Sequence, residues 1–115
     1  MSSSHGELLK QPAGLCPRFH RAAELLGRRW TGAILRTLLA GPQRFNELLA
    51  AIPGISDRLL TERLRELESE DIVRREVQAG SPVRVSYRLT ERGSELGPVM
   101  REIGAWAERW IKVAD

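Results

Sequence analysis

Four polar side chains between positions 58 and 65, Arg58, Thr61, Glu62 and Arg65, are related as i, i+3, i+4 and i+7. At 100° per residue they share one side of a helix, while Leu59, Leu60, Leu64 and Leu67 take the other. Guanidinium forks match the acceptors on a guanine edge. A hydroxyl and a carboxylate can meet a thymine methyl or a cytosine amine. Those are the groups that reading a DNA major groove requires. The plainer account of such a face is a solvated flank of an amphipathic helix. Two more arginines stand where a phosphate backbone would be met. Arg44 opens the preceding helix beside its N-terminal amides. Arg84, just past the tip Gly80-Ser81-Pro82, can hold a phosphate or enter a narrow minor groove, the plainer account being an exposed strand arginine.

Cys16 is the one thiol of the chain. Pro17 follows it, as at the first position of a helix, so the thiol faces a positive dipole end with Arg18 and His20 nearby. Both effects favour a reactive cysteine; the plainer account is an inert, partly buried small residue. Cys16 and His20 have i, i+4 ligand spacing but no third ligand, so neither a metal nor another cofactor is expected. A single cysteine also excludes an intramolecular disulfide and the Cys₂His₂ and Cys₄ zinc sites. No catalytic residues are expected. The chain has no GxGxxG, no P-loop and no Ser/His/Asp set that can be brought together. The acids Glu62 and Glu66 belong to an exposed flank without a pocket.

The elements that must hold these residues follow from the periodicity. Residues 1 to 15 carry Ser, Gly, Gln and Pro and read as a flexible N-terminal arm. From 16 the pattern is helical, with Phe19, Ala22, Ala23 and Leu26 as its stripe and Gly27 as its end. A second helix is expected from about Trp30 to Ala40, burying Ile34, Leu35, Leu38 and Leu39 before Gly41-Pro42 stops it. A third runs from about Arg44 to Ala51. Pro53-Gly54 forms a tight turn, Ser56 caps a fourth helix, and Asp57 suits that helix's positive end.

The period then changes to two. Val83, Val85, Tyr87 and Leu89 alternate with polar residues as a half-buried strand, and 72–78 is its hairpin partner. Thr90 caps a long last helix, about 91–113, that Pro98 kinks or breaks. The expected fold is mainly α with a small β-hairpin, α-α-α-α-β-β-α. This is a winged helix-turn-helix domain spanning 16–115, whose helix-turn-helix is the third and fourth helices.

The last helix carries Leu96, Val99, Met100, Ile103, Trp106 and Trp110, with Val113 beyond them, in a near-heptad stripe. Packing on the chain's own core is one use for it. Two tryptophans one turn apart exceed what so small a core needs, so these residues are expected to form a homodimer interface. Two copies of the fourth helix about one DNA turn apart would read a palindrome.

Composition agrees with this reading and narrows it. The chain has 115 residues, enough for one modest domain. Its net charge is +3, and sixteen of its 18 basic residues are arginine. The charge is segmented. Residues 10–45 hold seven basic residues and one acid, 56–71 three basic and six acidic, and 72–92 five basic and two acidic. A nucleic-acid surface must therefore be a selected face. No apolar run is long enough for a membrane span, and the N-terminus lacks the pattern of a secretory signal. A cytoplasmic protein in a reducing compartment is expected.

The segment from Cys16 through Trp30-Thr31 resembles the opening of the HxlR family of bacterial regulators, relatives of the MarR type. The runs Gly41-Pro-Gln-Arg-Phe45, Pro53-Gly-Ile-Ser56 and Leu60 to Leu67 resemble that family's helix-turn-helix. Pro82 to Gly93 resembles its wing and the start of its last helix. The likeness covers about 16–110. It implies a dimeric transcription factor on pseudo-palindromic operators of double-stranded DNA, with the terminal helices building the dimer. It also implies, for some members, a redox or electrophile switch at the position of Cys16. Arg58 and Glu62 stand where the family often has Lys or Gln, so an operator sequence does not carry over. Two other functions fit the same fold: a regulator gated by a small-molecule ligand near the dimer helices, and a protein-interaction module that does not bind DNA.

Overall fold

The computed structural model describes residues 16–114, so the expected arm at 1–15 lies outside the described residues. Helix α1 spans Pro17–Leu26, α2 Thr31–Leu39, α3 Phe45–Ala51 and α4 Asp57–Ser69. Strands β1 (Gln43–Arg44), β2 (Val73–Gln78) and β3 (Arg84–Leu89) form one antiparallel sheet in the order β1-β3-β2. Helices α5 (Glu91–Ser94) and α6 (Gly97–Trp110) follow. The order of elements confirms a winged helix-turn-helix.

Side chains at helical and alternating spacing build the core. Ile34, Leu35 and Leu38 of α2, Leu48 of α3, and Leu60, Leu64 and Leu67 of α4 are buried together with Ile52, Ile55, Ile72 and Val73. Local signals set the ends of the elements. The Ser56 hydroxyl accepts from the Leu59 N–H at 3.1 Å, and the Thr90 hydroxyl from the Gly93 N–H at 3.0 Å. The turn between α3 and α4 needs Gly54. Its φ is +94°, and a Cβ there would stand 3.3 Å from the Trp30 ring.

Several expectations are corrected. The hairpin is a three-stranded sheet, because Gln43 and Arg44 pair with Tyr87 and Ser86. Helix α2 begins at Thr31; Trp30 precedes it in the left-handed region at φ 79°. The last helix is broken at Pro98, the second of the two outcomes expected there. Pro98 has no N–H to donate, and it sits in the first turn of a new helix after the one-turn α5. Helix α6 ends at Trp110, leaving Val113 outside it. Helix α1 buries none of its residues, and Phe19 is 71% exposed. Val77 and Val83 are exposed because the wing runs beyond the edge of the core.

Candidate nucleic-acid interface

Helix α4 presents two faces, as its sequence requires. Leu60, Leu64 and Leu67 point inward, and Leu59 is half-buried at their margin. Arg58, Glu62 and Arg65 are exposed and Thr61 is half-buried beside them. The structure therefore brings the four predicted groove-facing residues onto one surface. The capping residue Ser56 lies at the helix start, with Asp57 in the first turn. On that surface Arg58 Nη1 lies 3.4 Å from Glu62 Oε2, an exposed i, i+4 pair. Such a pair contributes only about 0.3–0.5 kcal/mol, so it does not lock Arg58 away from a ligand. Among the described residues Arg65 forms no ion pair.

The inner flank of α4 holds a residue the sequence reading missed. Arg63 is only 8% exposed. Its Nε donates to the Arg29 carbonyl at 2.9 Å, and its Nη1 lies 3.5 Å from Glu62 Oε1 and 3.3 Å from Glu66 Oε2. The signal was in the spacing. Position 63 lies three residues after Leu60 and four before Leu67, on the inward side. Arg28 Nε stands 3.1 Å from Glu66 Oε1, and the Arg29 guanidinium lies 4.9 Å from the centroid of the Trp30 ring. Arg21 of α1 reaches Glu70 at 2.7 Å, and that carboxylate holds the guanidinium above its already high ordinary range, by hydrogen bonding first and charge second. Glu66 of α4 and Glu70 just past its end are thus tied by arginines to the turn after α1 and to α1 itself.

Arg44 lies in β1 and is also the N-cap of α3, at the helix start where it was expected. Its N–H donates to the Glu47 carboxylate at 2.7 Å, and its side chain is exposed. Directly paired strand residues share a face, so Arg44, Ser86 and Glu76 form one row. Arg84 pairs with Gln78 at the wing tip and is exposed. Arg74 and Arg88 are both drawn to Glu76, at 3.4 and 3.7 Å. The wing therefore offers Arg84 and Arg44 as its cations outside ion pairs among the described residues, together with Arg75.

Cys16 is exposed at the entry to α1, with φ 44°. His20, expected beside the thiol, turns its Nε2 to Glu24 Oε1 at 3.6 Å. No group of three metal-ligating side chains occurs among the described residues.

The six residues of the C-terminal stripe divide. Leu96 and Met100 are partly buried against the chain's own core, because the first half of α6 lies on α2. Val99, Ile103, Trp106 and Trp110 stay exposed, at 42, 53, 53 and 69%. Their 4-3-4 spacing is that of an unpartnered helix seam. No described helix is long and apolar enough to cross a membrane.

A helix-turn-helix with an arginine-bearing outer face and a β-wing defines a DNA-binding regulator, and the comparisons agree. The family model described as HxlR-like helix-turn-helix matches residues 25–115, and the chain belongs to that family. It is a transcriptional regulator of helix-turn-helix type, not an enzyme. The HTH-type transcriptional regulator YvaP of Bacillus subtilis is 48% identical over 97 residues, covering 84% of this chain and 90% of YvaP. YodB of the same organism is 46% identical over 101 residues, covering 88% and 90%. The reduced form of YodB superposes with a TM-score of 0.78 over 87% of this chain and 98% of that one. YodB is also known in diamide-treated and quinone-bound forms. The redox regulator HypR, in its oxidised form, is 38% identical with a TM-score of 0.79, covering 85% of this chain and all of HypR's.

Proposed function

We propose that this regulator acts in the cytoplasm as a homodimer on a pseudo-palindromic operator in double-stranded DNA. Arg58, Thr61, Glu62 and Arg65 read base edges in the major groove. Ser56 and Arg44 hold backbone phosphates, and Arg84 serves the wing. The observation that carries this reading is the outer face of α4, where four groove-matching side chains stand together at the surface on a capped helix. The exposed Val99, Ile103, Trp106 and Trp110 supply the two-fold contact.

The test is a titration of operator-length duplex at several salt concentrations. Affinity should fall linearly on logarithmic axes as counterions compete for the phosphates. A winged helix that serves only as a protein-interaction module would show little binding at any salt. Arg58→Ala and Arg65→Ala should each cost about 1–3 kcal/mol at the preferred site. Wild-type affinity in both variants would mean that another face of the molecule reads DNA.

A second element of the proposal is that Cys16 switches the regulator. The exposure of its thiol favours this, as do the diamide-treated and quinone-bound forms of the relative YodB. With one cysteine per chain, three products are available. Two thiols of a dimer can lose two hydrogens to diamide and join as a disulfide. One thiol and a small thiol can likewise lose two hydrogens to diamide and join as a mixed disulfide. A thiolate and a proton can add to a quinone, giving a hydroquinone thioether with no disulfide formed. In each case the expected result is release of DNA in the wild type and retention in Cys16→Ser, measured by fluorescence anisotropy. Equal release by both proteins would favour a ligand-gated regulator instead.

A further inference from the structure

Glu62 is shared between two unlike arginines. Its Oε2 lies 3.4 Å from Nη1 of Arg58, which is exposed on the outer face. Its Oε1 lies 3.5 Å from Nη1 of Arg63, which is buried on the inner flank. The two partners differ in what holds them. Arg58 is anchored by nothing else among the described residues, so its pair with Glu62 opens easily. Arg63 is anchored on two further sides, by the Arg29 carbonyl at 2.9 Å and by Glu66 at 3.3 Å. Those partners are themselves fixed. Glu66 is held by Arg28, the Arg29 side chain lies over Trp30, and the Trp30 ring covers Gly54 in the turn that precedes α4.

We infer that Arg63 is a positioning residue for base recognition: it holds one oxygen of Glu62 from behind and so sets where the other oxygen meets the groove. The inference rests on the proposed reading of DNA by α4. Its logic is geometric. A long carboxylate on an exposed helix face samples many rotamers, and a group that must first be ordered discriminates poorly. Arg63 removes part of that freedom before DNA arrives. It also keeps Glu62 from turning both oxygens onto Arg58. The guanidinium of Arg58 then keeps N–H donors free for a guanine edge, while Glu62 keeps an outward acceptor for a cytosine amine.

The experiment selects a preferred site for the wild type from a library of randomised duplexes. Dissociation constants for that site and its single-base variants are then measured for wild type, Glu62→Ala, Arg63→Met and the double variant. Glu62→Ala identifies the base pair that Glu62 reads, as the one where discrimination is lost. At that pair Arg63→Met should reduce discrimination about five- to tenfold. In the Glu62→Ala background Arg63→Met should change discrimination no further. Arg63→Lys keeps the aliphatic stem and a cation but cannot serve the carbonyl and both carboxylates together. It should lose about threefold at the same pair, and it decides the matter if Arg63→Met does not fold.

An equal loss of affinity for every sequence would give Arg63 a purely structural role and overturn the inference, leaving the reading of DNA by α4 intact. So would wild-type discrimination in whichever Arg63 variant folds. Discrimination unchanged at every pair in Glu62→Ala would overturn the inference together with the role of Glu62 in reading. Failure of the wild type to select any sequence would overturn the whole reading.

Discussion

Gly93→Ala is expected to lower the free energy of unfolding by about 3 kcal/mol. A Cβ at this position would stand 2.1 Å from the Ile72 carbonyl oxygen and 3.1 Å from the Ile72 Cγ2 atom. Neither neighbour can easily yield. Ile72 is 5% exposed, and its carbonyl accepts from the Thr90 N–H at 3.0 Å and the Thr90 hydroxyl at 3.2 Å. The single proton of that hydroxyl is shared between this carbonyl and the nearer one of Asp71, at 2.7 Å. Helix α5 is thus fastened backbone to backbone against the start of the wing, and only a residue without a side chain allows that distance. Urea unfolding followed by circular dichroism measures the effect. Gly104→Ala is the control: nothing lies within 4 Å of a Cβ there, so it should gain about 0.5–1 kcal/mol from helix propensity. A wild-type midpoint for Gly93→Ala would mean that α5 moves off the wing at no cost.

Ile103→Glu is expected to abolish the dimer while leaving the fold intact. Ile103 is 53% exposed and stands between Val99 and Trp106 on the outer seam of α6, so a carboxylate there costs the single chain little. In a two-fold contact the same residue would lie against its own seam on the partner, and two buried like charges would have no compensation. Sedimentation should then report one chain in place of two. Operator affinity should fall by about 10²–10⁴-fold, because each α4 would bind its half-site without the effective concentration its partner provides. A variant that keeps the wild-type mass and affinity would place the contact elsewhere, with the exposed Phe19 of α1 as the next apolar surface to test.

The two results separate what is built into one chain from what depends on a second. Gly93 acts on folding alone, so its effect should not depend on protein concentration. The defect of Ile103→Glu should be strongest near the dimer's dissociation constant and should leave the urea midpoint of the monomer nearly unchanged.

The amino-acid sequence by itself determined the elements that local chemistry specifies. The faces of α4, the Ser56 and Thr90 caps, the Pro53-Gly54 turn and the alternation of β3 all follow from spacings of two to four residues. Such patterns survive in any context that buries the apolar side. The residues that face outward from α4 were legible for the same reason. Tertiary structure alone decided the pairing of Gln43 and Arg44 with β3, which joins residues more than forty positions apart. It also decided that Leu96 and Met100 close the chain's own core while Val99, Ile103, Trp106 and Trp110 stay outside. A helix stripe states which residues are apolar, but the neighbour that covers each one depends on where α2 lies. Arg63 shows the same limit in its sharpest form. A charged side chain is buried only when distant groups meet its donors, here a carbonyl thirty-four positions away and two carboxylates on its own helix, and no local pattern encodes that meeting.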